Sequence, residues 1–256
     1  MTTNRQNGSL YVNIQNKIAT VEFGHPASNS FPSELLERLT NELHAIAKND
    51  EVSVVILKSE GERAFCAGAS FDELVGITNL EEGKKFFSGF ANVINAMRTC
   101  GKIIIGRIQG KTVGGGVGLA AACDYVLATE AASIKLSELT IGIGPFVIEP
   151  AVSRKIGLAA TSTLTLDATS WQNAYWAKEK GLYAKVFESI KELDEEVAHL
   201  ATKLSSYNSE ALSEMKKVFW KKTDHWDDLL IERAKISGEL VLSDFTKKAL
   251  SKFAKK

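Results

Sequence analysis

The chain has 256 residues, 45% hydrophobic and 24% charged, with 31 Lys plus Arg against 31 Asp plus Glu and a formal net charge of zero. That composition excludes a disordered or fibrous chain, and the lack of a basic excess argues against nucleic acid or an anionic membrane surface as a partner. Folding at this length buries roughly three quarters of the unfolded surface, enough for one large α/β domain or two ordinary ones.

Along the chain, Leu10–Val12 and Ile18–Phe23 predict an alternating hairpin. From Phe31 to Lys48 the period changes: Leu35, Leu36, Leu39, Leu43 and Ile46 recur at three and four residues, with Pro32 in the first turn and Ser33 or Ser30 as N-cap. Val52–Lys58 is a β-branched apolar run expected to form a buried parallel strand. Helical spacing returns over Glu82–Thr99, strand character over Lys102–Ile108, and Gly114–Gly118 opens a helix through Leu119–Ala122 before a strand at Asp124–Ala128. Strands alternating with helices imply parallel pairing with right-handed crossovers. Beyond Pro150 the strand signal fades. Helices are expected at Ala151–Ile156, Ala160–Leu166, Trp171–Lys180, Lys191–Ser205, Glu210–Phe219 and Asp227–Lys248. The division drawn from this is an α/β core over residues 1–190 and a helical region over 191–256.

Cys66, Cys100 and Cys123 are odd in number and form no C-x-x-C, which predicts reduced thiols and no metal site. A polar Met1–Leu10 and the lack of a long apolar run lead to the expectation of a soluble, cytoplasmic protein.

Several catalytic signals fail on spacing. Gly106 to Lys111 ends like a phosphate-binding loop but is one residue short, and Gly114–Gly118 places Leu119 or Ala121 where a dinucleotide fingerprint needs its third glycine. No G-x-S-x-G occurs, and His25, His44, His199 and His225 are scattered, His44 on a helix surface. What remains is a pair of glycine-rich turns, Phe65–Ala69 and Gly114–Gly118, each following a predicted parallel strand. Open α/β sheets place ligands beyond the carboxyl ends of such strands, and small residues let a ligand approach free backbone N–H groups. Tight packing is the competing explanation for the same glycines.

These turns, followed by Leu136-Ser137-Glu138, Gly142 and Pro145 and then by Ala174, Ala177, Gly181, Leu182 and Val186, resemble the successive signatures of the crotonase, or enoyl-CoA hydratase/isomerase, superfamily. The resemblance implies a crotonase (ClpP/crotonase-like) fold of repeated ββα units, with a helical C-terminal region that assembles trimers or hexamers. It implies an acyl-CoA substrate, coenzyme A being part of that substrate and no separate cofactor being needed. Glu138 would be the acid/base, and the N–H groups of Ala69 and Gly115 would hold the thioester oxygen. Ala67, Gly68, Phe71, Gly116 and Phe146 would line the acyl site. His25 and Ala27 would lie near the CoA, as would Phe245 and Lys248 from a neighbouring subunit. Lys247, Lys252, Lys255 and Lys256 make that end locally basic.

One departure affects the reaction. Family hydratases carry a second glutamate four residues after the first glycine of the triplet, where this chain has Gly118. Hydration of a 3-methylglutaconyl-CoA-like substrate, as in leucine breakdown, is the preferred expectation because the Gly116–Leu119 and Ile141–Pro145 runs resemble a bacterial branch with that assignment. A Δ3,Δ2-enoyl-CoA isomerase and a catalytically silent acyl-CoA-binding protein are the alternatives. Glu149 is a candidate replacement carboxylate, set against a simple charge at a helix start.

Overall fold

A computed structural model describes residues 7–253. Strands β1 (Ser9–Gln15) and β2 (Ile18–Gly24) form the expected antiparallel hairpin. Its two-residue turn puts Asn16 and Lys17 at φ 51° and 64°, the left-handed pair a tight hairpin turn requires. Helix α1 (Ser33–Ala47) buries the five expected leucine and isoleucine positions. Its start differs from expectation, because Pro32 occupies the N-cap and neither Ser30 nor Ser33 caps the helix. The Glu73 carboxylate does so instead, accepting from the Ser33 N–H at 2.9 Å and its hydroxyl at 2.6 Å. A negative group at a helix start satisfies free N–H donors and opposes the helix dipole, whichever segment supplies it.

The next elements are β3 (Val54–Ser59), β4 (Ala64–Cys66), α2 (Phe71–Gly76), α3 (Leu80–Thr99), β5 (Ile103–Ile108), β6 (Lys111–Val113), α4 (Gly115–Ala122), β7 (Tyr125–Thr129) and β8 (Ile134–Lys135). They build two sheets. Together with β9 (Lys185–Phe187), the large one runs β1-β2-β3-β5-β7-β9 and is parallel from β2 onward; the small one runs β4-β6-β8 and is wholly parallel. The ββα repeat therefore has a concrete form: the first strand of each pair joins the large sheet, the second joins the small one, and a helix or turn follows. The fading of strand signal after Pro150 misses β9, whose three residues are too short to carry a period of two.

Alternation within the large sheet explains its continuous apolar runs. Val54, Ile56, Ile105 and Leu127 face Leu193, Val197 and Ala201 of helix α7 (Ile190–Ser205), while Val55, Leu57, Ile104 and Val126 face the main core. Arg107, on the α7 side, closes that layer with two bonds to Asp194 at 2.7 and 3.0 Å.

The remaining helices adjust the expected boundaries. Helix α5 (Glu149–Leu166) joins two expected helices across a break at Gly157, where φ is 79°. Helix α6 (Ala174–Glu179) is shorter than expected because the Asn173 side chain caps its start. Helix α8 (Ser209–Phe219) is tied down where Lys216 meets the buried Asp124 at 2.9 Å, and Asp124 also accepts from the Trp220 indole and the Ile104 N–H. The single helix expected over Asp227–Lys248 is two, α9 (Trp226–Leu240) and α10 (Asp244–Phe253). Between them the Ser243 hydroxyl accepts from the Thr246 N–H at 3.3 Å and starts a new helix. Gly83 and Gly238 let α3 and α9 touch backbone to backbone: a Cβ on Gly83 would lie 2.8 Å from the Gly238 Cα. This close crossing seats α9 against the cavity described next. Among the described residues no helix is long and apolar enough to cross a membrane.

Candidate active site

The two glycine-rich turns and the Glu138 segment are the continuations of β4, β6 and β8, so all three emerge side by side from the small sheet. The turns were expected to follow the long strands of the large sheet. The short strands take the chain across to the second sheet first, and they set the site's geometry. Gly68 has φ 91°, and a Cβ there would lie 3.2 Å from the Val113 carbonyl and 3.6 Å from the Gly115 nitrogen. The first turn thus touches the second. A bond from the Gly114 N–H to the Lys135 carbonyl at 2.9 Å brings the third strand alongside.

Around the first turn, Phe31 donates to the Gly68 carbonyl and accepts from the Ser70 N–H, both at 2.8 Å. This pairing uses the groups on either side of Ala69 and leaves the Ala69 N–H turned away. Gly115 is the first residue of α4, where N–H groups have no helical partner. Among the described residues, neither the Ala69 nor the Gly115 N–H donates to a protein acceptor.

Glu138 opens a 3-10 turn, Glu138–Ile141, directly after β8. A Cβ on Gly114 would lie 2.9 Å from its Oε1, so the carboxylate rests against the α4 entrance. Its Oε2 is buried with no hydrogen-bond partner. Burial pushes the carboxyl up to about 7, against the pull of the Glu138 and Ser137 backbone N–H groups.

These groups share one cavity of about 200 Å³. Its wall includes the expected Ala67, Gly68, Ala69, Phe71, Gly115, Glu138 and Phe146. Aromatic Phe86, Phe87 and Phe90 from α3, with Ile143, Ile148 and Ser237, also line it. The α3 aromatics read from the sequence only as one face of an amphipathic helix. The signal available was their crowding, three phenylalanines in five residues, more than one stripe needs.

Other expected residues lie elsewhere. Gly116 is buried behind the wall, where a Cβ would meet Cys66 at 2.7 Å. His25 and Ala27 sit on the loop before α1, and His25 lines a separate small cavity with Ser9 and Glu60. That loop reaches the site through the Ala67 N–H to Ser28 carbonyl bond at 3.1 Å. Phe245 is 65% exposed and packs on Gly142, at the end of the Glu138 turn, while Lys248 is exposed on α10. Lys255 and Lys256 lie outside the described residues. Glu149 is outside the cavity and accepts from the Ser153 hydroxyl at the start of α5. At Gly118 a Cβ would lie 2.5 Å from the Ile148 side chain, so isoleucine covers the position of the missing glutamate. Among the described residues no cluster of His, Cys, Asp or Glu could hold a metal ion.

An elevated carboxyl has a cost in stability. The folded chain holds the Glu138 proton up to about pH 7, whereas the unfolded chain releases it near 4.5, so stability falls as pH rises between those values. Glu138→Gln removes this loss. The variant's melting temperature should gain on the parent between pH 5 and pH 8, the difference at the upper end corresponding to roughly 3 kcal/mol.

The family model described as "Enoyl-CoA hydratase/isomerase" matches residues 13–256. A 2,3-dehydroadipyl-CoA hydratase of Escherichia coli (strain K12) is 30% identical over 213 residues, covering 81% of this chain and 80% of that protein. The mitochondrial methylglutaconyl-CoA hydratase of Rattus norvegicus is 32% identical over 167 residues, 65% of this chain and 52% of its own length. In structure, the enoyl-CoA hydratase from Bacillus halodurans superposes with a TM-score of 0.88 over 95% of this chain and 99% of that one, at 21% identity. The two-sheet ββα architecture is the crotonase fold, and with the family model matched along nearly its whole length, the chain belongs to the enoyl-CoA hydratase/isomerase family.

Proposed function

We propose that this protein hydrates a 2-enoyl-CoA thioester, with Glu138 as its single acid/base. The observation that carries the reading is the meeting, in one apolar cavity, of a buried carboxyl raised to about 7, its Oε2 without a hydrogen-bond partner, with the undonated N–H groups of Ala69 and Gly115. The thioester oxygen accepts from both N–H groups. As a water oxygen bonds to the β-carbon, Glu138 takes a proton from that water and the double-bond electrons move onto the thioester oxygen. Collapse of the enolate then returns the proton from Glu138 to the α-carbon. Donors aimed at charge that develops only in the enolate lower the barrier by about 3 kcal/mol each.

A second reading has its own support. With Ile148 over Gly118, no second carboxylate lines the cavity among the described residues, and one base moving a proton between the α- and γ-carbons suffices for Δ3,Δ2-isomerisation. For the CoA portion, the family resemblance assigns His25, Ala27 and, from a neighbouring copy in a trimer, Phe245 and Lys248. Mixing the protein with crotonyl-CoA and, separately, with a 3-enoyl-CoA separates the reactions. Hydration bleaches the conjugated thioester band of the first, isomerisation creates that band from the second, and no change with either leaves a silent acyl-CoA binder.

A further inference from the structure

Two of the three relatives described above are named for substrates whose acyl chains end in a carboxylate, yet the cavity here offers such a group no cation. Among the described residues, those lining it include no Lys, Arg or His, and its one ionisable side chain is the like-charged Glu138. Lys247 lies in a separate groove beyond Leu74, beside Val75 and Leu250. Phe86 and Phe87 meet edge to face at 5.1 Å, and Ile148 fills the space over Gly118. The polar side chains in the wall besides Glu138 are Ser137 and Ser237.

We infer that the cavity selects an unsaturated acyl group with an uncharged, apolar end and rejects one ending in a carboxylate, with Phe86, Phe87 and Ile148 as the discriminating wall. This rests on the enoyl-CoA reading above and names the substrate class within it. A carboxylate entering this space gives up its water without gaining a cation and approaches Glu138, which must itself be ionised to work. A methyl-ended chain loses nothing of that kind. Each methylene it buries raises kcat/KM about fourfold until the space is full. The 3-methylglutaconyl-type substrate suggested by the sequence resemblance falls on the rejected side.

A matched pair tests this directly. Crotonase-type turnover of 2-hexenoyl-CoA and 2,3-dehydroadipyl-CoA, equal in carbon number and differing in the terminal carboxylate, is followed by loss of thioester conjugation. The expected result is a preference for 2-hexenoyl-CoA of at least about 100-fold in kcat/KM. Equal turnover, or a preference for 2,3-dehydroadipyl-CoA, overturns the inference and leaves the enoyl-CoA reading standing. If neither reacts, the hydratase reading fails. Calorimetric binding of hexanoyl-CoA against adipyl-CoA then still decides selectivity, with tighter adipyl-CoA binding overturning it. Phe87→Arg, at a partly exposed position, supplies the missing cation and should narrow the hexenoyl preference at least tenfold; an unchanged ratio overturns the place of Phe87 in the wall.

Discussion

Glu138→Gln should lower kcat by about 1000-fold while acyl-CoA binding stays within a few-fold of the parent. Glutamine keeps the shape of the side chain, with an amide NH2 in place of one carboxylate oxygen, but can neither take a proton from water nor return one to carbon. The CoA thioester would still meet the same wall and the same two N–H groups. Turnover measured by thioester absorbance, beside binding of a saturated acyl-CoA by calorimetry, gives both numbers. A parallel loss of binding would mean that Glu138 holds the cavity open instead of acting on the substrate.

Gly114→Ala should be nearly as damaging without removing any chemical group. Gly114 sits at φ 54°, ψ −121°, a conformation that costs an L-residue about 1–3 kcal/mol. Its new methyl would also stand 2.9 Å from the Glu138 Oε1. The carboxylate or the α4 entrance has to give way, and a displacement of about 1 Å at a reacting group costs roughly 100-fold in rate. We expect kcat to fall by at least about 100-fold together with a lower melting temperature, checked by steady-state assay and thermal unfolding. Gly115→Ala has a different origin of damage, since its methyl would run into the Phe90 ring at 2.3 Å.

The long elements were legible in the sequence because each carries either a helical period or an unbroken apolar run. The leucine spacing of α1 and the doubly buried β3 and β5 fix themselves through burial alone. The small sheet was not legible. Its strands β4, β6 and β8 have three, three and two residues, and no pattern can be read from so few. Yet those strands align the two glycine turns and Glu138. Local chemistry therefore pointed to two turns that meet at one cavity while attaching them to the wrong sheet. The site was legible wherever a backbone constraint leaves a mark on the sequence, as at Gly68 and Gly114. The apolar wall was not, because Phe86, Phe87 and Ile148 look like any core residues until the α3–α9 crossing at Gly83 and Gly238 and the packing of Ile148 on Gly118 show that they border a space. Glu149 shows the converse: a carboxylate at a plausible sequence position that folding turns to Ser153.

Glu138 as the sole acid/base, raised by burial, is tested most directly by the pH dependence of kcat/KM for 2-hexenoyl-CoA. The free carboxylate must be ionised to accept the proton of water, so the rate should rise with pH through one ionisation near 7 and stay level above it. Glu138→Gln should abolish the rise along with the activity. A profile already level at pH 5, or one that survives the substitution unchanged, would contradict the assignment.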